Sequence, residues 1–261
     1  MYSEQLETAV TAAKDAGKLI SHLFGKTQKS YKLDGSIITE ADIESDSLIK
    51  KTLTNAFPDH SVFSEEGEKI IRNPDHLWVV DPLDGTTNYS VKIPYFAVSI
   101  AYYFKSILRI GVVFAPILNE IFVAENKAGA TLNGNPIGVD MDSPLENAFI
   151  SFENGRDQTS RRKVTRIYSK LKLINNKIRQ VGAVSLDLCN VAAGRFGAFI
   201  MPGSNTWDIA AGILIVEEAG GIVTDFKNQV LTEKSSSILA ASPSIHERLY
   251  EIINVDNGKN I

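Results

Sequence analysis

The chain has 261 residues, 44% of them hydrophobic and 22% charged, the balance of a globular protein with a substantial core. A net charge of −4 argues against a nucleic-acid-binding surface. A single cysteine, Cys189, excludes an internal disulfide and suits a reducing compartment.

In chain order, residues 4–24 place Leu6, Val10, Ala13, Ile20 and Leu23 at helical spacing, which predicts an amphipathic helix. The polar, lysine-rich stretch from Gly25 to Ser36, turning at Asp34-Gly35, reads as a mobile loop. Thr39-Glu40-Ala41-Asp42 has the form of a capping box, with a second helix from Ile43 to Phe57 behind it. Val62 to Ser64 reads as a short strand running into Glu65-Glu66-Gly67, and Leu77 to Val80 as a buried strand ending at Asp81-Pro82-Leu83-Asp84-Gly85. Phe96 to Tyr103, Ile107 to Phe114 and Glu120 to Ala124 predict an antiparallel meander, and Asn133-Gly134 a further hairpin.

The pattern changes beyond about residue 145. Helices are expected at Ser160 to Lys172, Ser185 to Ala193, Ile209 to Ala219 and Ile245 to Ile253, with strands at Lys177 to Val181, Ala198 to Ile200 and Ile238 to Ala241. Gly220-Gly221 closes the third of these helices, and Asp208 falls where its N-cap belongs. Arg161-Arg162-Lys163 reads as a solvated helix face. No apolar run approaches the roughly 18 residues of a membrane span, and no basic-then-apolar leader opens the chain, so a cytoplasmic protein without a membrane partner is expected. The four histidines lack metal-ligand spacing, and no GxSxG, HExxH or Walker-type loop occurs.

The stretch from Trp78 to Asn88 carries the most chemistry. Asp81 and Asp84 stand three residues apart at the end of a rigid element, and the amides of Gly85, Thr86 and Thr87 follow. Carboxylates suit hard cations such as Mg²⁺, and a turn opening onto free amides suits phosphate oxygens. Glu65 and Asp208 also sit at element ends, and four converging carboxylates would call for a cation to relieve their repulsion. Each acid has an ordinary reading as well: Asp42 as part of a helix cap, Glu65-Glu66 as a solvated turn, Asp208 as an N-cap.

Asp81-Pro82-Leu83-Asp84-Gly85-Thr86-Thr87-Asn88-Tyr89, with Ile93-Pro94-Tyr95-Phe96-Ala97-Val98-Ser99-Ile100 behind it, resembles the signature of the inositol monophosphatase family. These are Mg²⁺-dependent, lithium-sensitive phosphatases of sugar and polyol phosphates. Ser64-Glu65-Glu66-Gly67 is similar to the family's acid pair. Trp207-Asp208-Ile209-Ala210-Ala211-Gly212 followed by Glu218-Ala219-Gly220-Gly221 is similar to its C-terminal signature, and Thr39-x-x-Asp42 to a further acidic position. The resemblance implies an α+β fold, a layered α-β-α-β-α sandwich of the inositol monophosphatase and fructose-1,6-bisphosphatase type. One domain over residues 1–261 is implied, antiparallel to about residue 145 and α/β over 146–261, assembled as a homodimer.

The same resemblance implies Glu65, Asp81, the Leu83 carbonyl, Asp84 and Asp208 as ligands of two or three Mg²⁺ ions, with Mn²⁺ as an alternative. Glu65 and Thr86 would activate a water, and Asp42 would accept from the Thr86 hydroxyl or support a third ion. Gly85 and Thr86 amides would hold the phosphate, Lys32 would close over it, and Asp84, Asp208 and Arg156 would complete the substrate contacts. Where many relatives have Gly-Arg-x-Asp-Gly-x-x-Glu, this chain has Gly194 to Met201. Gly197 replaces the aspartate, and Met201 stands where a glutamate commonly contacts inositol hydroxyls. Thr87 occupies a position where bisphosphate-nucleotide phosphatases commonly carry lysine. The expected activity is hydrolysis of inositol 1-phosphate or a related sugar or polyol phosphate. The alternatives are fructose 1,6-bisphosphate, histidinol phosphate or 3′-phosphoadenosine 5′-phosphate as substrate, or a regulatory binding protein on a phosphatase fold.

Overall fold

The structure, a computed structural model, describes residues 2–155, 157–203, 205–232 and 235–254. Helix α1 (Ser3–Leu23) buries a stripe of small residues, Ala9, Ala12, Ala13 and Ala16, together with Ile20. The lysine-rich segment expected as a loop instead carries a hairpin, β1 (Lys29–Tyr31) paired antiparallel with β2 (Ile37–Thr39). Local chemistry closes it: Asp34 Oδ1 accepts from the Ser36 N–H at 3.0 Å, and Gly35 takes φ 82°. The capping box forms, and α2 (Glu40–Ala56) follows directly.

Next come β3 (His60–Ser64), β4 (Asn73–Asp84), the short α3 (Thr86–Ser90), β5 (Ala97–Phe104), β6 (Ile107–Ala115), β7 (Glu120–Glu125), β8 (Ala130–Leu132) and β9 (Asn135–Pro136). They build a seven-stranded sheet in sequential order, antiparallel except for the parallel β3–β4 pair. The remaining elements are β10 (Ile150–Phe152), α4 (Gln158–Lys172), β11 (Ile178–Arg179), α5 (Val184–Ala192), β12 (Ala198–Pro202), α6 (Thr206–Glu218), β13 (Ile222–Thr224), β14 (Ser237–Ala241) and α7 (Pro243–Asn254). Their five strands run in the order β11-β10-β12-β14-β13. The sequence pattern missed β10 and β13, each three residues long and too short to show a period.

Alternation along the strands sorts the apolar residues into three cores. Trp78 and Val80 pack with α1 and α2, whereas Val79 between them packs with α5 and α6. Ile238 and Ala240 join that second core, and Leu239 and Ala241 face α4 and α7 in a third. The result is the expected α-β-α-β-α stack, with α5 and α6 as the central layer between the two sheets. Gly111 lets β6 lie close against α6: a Cβ there would lie 2.6 Å from the Ala211 carbonyl oxygen. Among the described residues no helix is long and apolar enough to cross a membrane.

Candidate active site

The site is built on the C-terminal end of β4, which continues past the expected end at Val80 to Asp84. Pairing with β5 jumps from Asp81↔Ser99 to Asp84↔Ala97, a bulge that accommodates Pro82, which has no N–H to donate. Both acids are thereby buried, Asp81 at 1% exposure and Asp84 at 6%. Asp81 Oδ1 accepts from the Leu83 N–H at 3.0 Å. Gly85 turns the chain into α3 at φ 90°, and a Cβ there would press on the Tyr95 carbonyl oxygen at 3.0 Å and Ala183 Cβ at 3.1 Å. The Thr86 hydroxyl lies 2.9 Å from Asp42 Oδ1 and 3.0 Å from the Leu83 carbonyl oxygen, and its one proton serves either acceptor. Asp42 Oδ2 meanwhile accepts from the Thr39 N–H and hydroxyl, so one carboxylate caps α2 and reaches the site.

Glu65 follows β3, its N–H bonded to the Val80 carbonyl at 3.0 Å, which aligns the two strand ends. One carboxylate oxygen each from Glu65, Asp81 and Asp208 lie within 4.8 Å of one another. Asp208 is not the N-cap of α6: Asn205 takes that position, and Asp208 sits in the first turn as its capping-box partner, accepting from the Asn205 N–H at 3.2 Å. Asp84 stands outside this three-way group. Its Oδ1 accepts from the Val184 N–H at 3.1 Å and its Oδ2 from the Ser185 N–H and hydroxyl, all at the start of α5.

Glu66 does not lie in a solvated turn; it is 8% exposed and paired with Lys32, which also reaches Glu65 Oε1 at 3.2 Å. Lys50 holds the same corner, donating to the Glu66 carbonyl at 2.6 Å and to Asp46 at 2.8 Å. Arg156 lies outside the described residues. Met201 is a core residue at 5% exposure, and a Cβ on Gly197 would meet Ala148 Cβ at 2.5 Å.

Burial, then the charges of Glu65, Asp84 and Asp208, pushes Asp81 well above the usual carboxylate range. Burial raises Asp84 to about 6, against the donors of Ser185 and Val184. Asp42 and Glu66 are raised by the same desolvation, opposed by Thr39 and by Lys32 respectively. For Lys32 burial works downward, but the Glu66 hydrogen bond and the charges of Glu65 and Glu66 outweigh it, and the ammonium is stabilised. A cluster of oxygen donors with mutual repulsion and no sulfur or imidazole fits a hard divalent cation.

The sequence pattern gave no sign of several residues around this centre. Ser185 is 101 positions from the acid it binds. Asp187, fully buried, accepts from the Tyr95 hydroxyl at 2.6 Å and from Ser151, and burial pushes it up to about 8. The charge of Glu153 raises both Asp84 and Asp187.

The five layers, with an acid cluster where the ends of β3 and β4 meet the first turn of α6, match the α-β-α-β-α sandwich that the sequence motifs imply. A family model described as the Inositol monophosphatase family matches residues 1–255, and the chain belongs to that family. A Thermotoga maritima protein named fructose-1,6-bisphosphatase/inositol-1-monophosphatase is 33% identical over 253 residues, covering 96% of each chain. A Vibrio cholerae protein named Nus factor SuhB is 36% identical over 244 residues, covering 91% of each. The crystal structure of the extragenic suppressor protein suhB from Bartonella henselae superposes with a TM-score of 0.92 at 33% identity, covering 96% of this chain and 98% of that one.

Proposed function

We propose that the protein is a Mg²⁺-dependent phosphomonoesterase acting on inositol 1-phosphate or a related sugar or polyol phosphate. The observation that carries this reading is the Glu65, Asp81 and Asp208 cluster on strand and helix ends shared with the Thr86–Asp42 hydrogen bond. Glu65, Asp81, Asp208, the Leu83 carbonyl and Asp84 would hold two or three Mg²⁺ ions, Mn²⁺ substituting. Bound divalent ions would supply charge neutralisation of the phosphate and acidification of a water.

The chain's own groups would do the rest. With the Thr86 proton held by Asp42, the hydroxyl oxygen is left as an acceptor that orients an attacking water, and Glu65 takes its proton. The Gly85 and Thr86 amides receive phosphate oxygens, and Lys32 adds a positive charge above them. Asp84 and Asp208 would accept from substrate hydroxyls, and Arg156 is proposed as a further substrate contact. Met201, packed among apolar side chains, supports loose recognition of the polyol. The name of the Thermotoga relative, with two activities in it, supports including a bisphosphate among the substrates tried.

The test is phosphate release by purified protein, with and without Mg²⁺, from inositol 1-phosphate, fructose 1,6-bisphosphate, histidinol phosphate and 3′-phosphoadenosine 5′-phosphate. Mg²⁺-dependent, lithium-inhibited release from the first is expected. Release from none of them would reject the reading. A regulatory role is a second reading, supported by the Nus factor name of the Vibrio relative. Asp84→Asn separates the two, since a cellular phenotype lost together with turnover belongs to the enzyme. A homodimer is part of the proposal, checked by light scattering.

A further inference from the structure

Helix α4 concentrates charge of one sign. Its 15 residues hold Arg161, Arg162, Lys163, Arg166, Lys170 and Lys172 and no acid. The remainder of the chain has 21 of the 27 cations against all 31 acids. Val164, Ile167 and Leu171 are buried against the five-stranded sheet, so the cations occupy the arc left to solvent. Arg161, Arg162 and Arg166 are exposed, and their guanidinium groups have no ion-pair or hydrogen-bond partner among the described residues. The lysines are anchored: Lys163 lies 4.6 Å over the Phe226 ring, Lys170 donates to the Ile252 carbonyl, and Lys172 donates to the Asn176 carbonyl.

Arg162 and Arg166 are four residues apart, about 6 Å along the axis and on one face, and the charged run extends over about 16 Å. A row of cations at this pitch fits a linear polyanion. A compact monoester would engage only one or two of them. Guanidinium forks match phosphate oxygens in pairs. The apolar side of α4 is already packed on the sheet, so the helix has nothing to insert into a bilayer. Tyr168 packs against Phe152, so the face offers no free ring for base stacking.

We infer that α4 is a docking surface for the phosphate backbone of a nucleic acid, bound without sequence readout. The whole-chain charge of −4 averages this face away. The surface lies on the outer layer of the second sheet, and the acid cluster is on the first, so this inference is independent of the phosphatase reading.

The test is fluorescence anisotropy of labelled single-stranded RNA, duplex RNA and duplex DNA with the full chain. Salt would run between about 50 and 200 mM, over which backbone binding should fall steeply. Arg162→Glu with Arg166→Glu should weaken binding roughly tenfold or more and flatten the salt dependence. Circular dichroism should match the parent. The relative affinities of the three probes identify which backbone is preferred. No binding at low salt, binding untouched by the double variant, or tighter binding to a glutamate-rich peptide of equal charge would overturn the proposal.

Discussion

Ser185 directs both its N–H and its hydroxyl at one oxygen of Asp84, at 2.7 and 2.5 Å, joining the first turn of α5 to the end of β4. Burial nonetheless dominates and raises the Asp84 carboxyl to about 6. An acid with a raised folded pKa holds its proton in the folded state after the unfolded chain has lost it. Its contribution to stability is therefore present below about pH 4 and lost as pH rises to about 6. His60, lowered to about 4 by burial, acts in the opposite direction over the same range, so the absolute stability curve is a poor readout. Comparison with Asp84→Asn isolates the carboxyl. In chelator, the variant should gain on the parent by about 2 kcal/mol between pH 4 and 6, read from urea unfolding. A constant difference across that range would show that Asp84 is not desolvated as described.

Lys32 donates to Glu65 Oε1 at 3.2 Å, so its positive charge competes with a cation for the Glu65 carboxylate. Removing the ammonium with Lys32→Met should tighten Mg²⁺ or Mn²⁺ binding in the absence of substrate roughly fivefold, about 1 kcal/mol for a partly exposed pair. Calorimetric titration reads this directly. If Lys32 closes over the phosphate as proposed, the same variant should also raise KM for the phosphate ester. Weaker metal binding in the variant would place Lys32 in a supporting role that this geometry does not predict.

Much of this centre was legible because it is local. The capping box at Thr39 and Asp42, the strand before Asp81 and the Gly220 stop each depend on residues within a few positions, where propensity and pattern carry information. The residues that were not legible depend on contacts made by the fold. β4 extends through Pro82 because Ala97 and Ser99 flank a bulge, whereas Asp-Pro reads by itself as a turn. Glu66 reads as solvated until Lys32 and Lys50 enclose it from a hairpin and a helix. Asn205 displaced Asp208 from the cap by one turn's geometry, an ambiguity of position that the spacing alone leaves open.

Thr86→Val separates the hydroxyl from the fold. Asp42 keeps both donors from Thr39, so the loss in stability should be about 1 kcal/mol. If Thr86 orients the water, turnover should fall roughly 100-fold or more with KM little changed. Thr86→Ser, which restores the hydroxyl, should recover most of the rate. A loss in KM with turnover intact would instead make Thr86 a phosphate contact only.

Met201→Glu asks whether this chain could regain the acid that many relatives carry there. Met201 pairs with Ile238 across the second sheet and is 5% exposed within the apolar layer around α5 and α6. A carboxylate in that layer would have no cationic partner, at a cost of roughly 3 kcal/mol or more near neutral pH. Because the new acid would be raised by burial, the deficit should shrink as pH falls toward its folded pKa. No gain in kcat/KM for inositol 1-phosphate is expected. A variant as stable as the parent, with improved KM for the polyol ester, would show that position 201 faces the substrate and that its burial in the apolar layer is not what sets specificity.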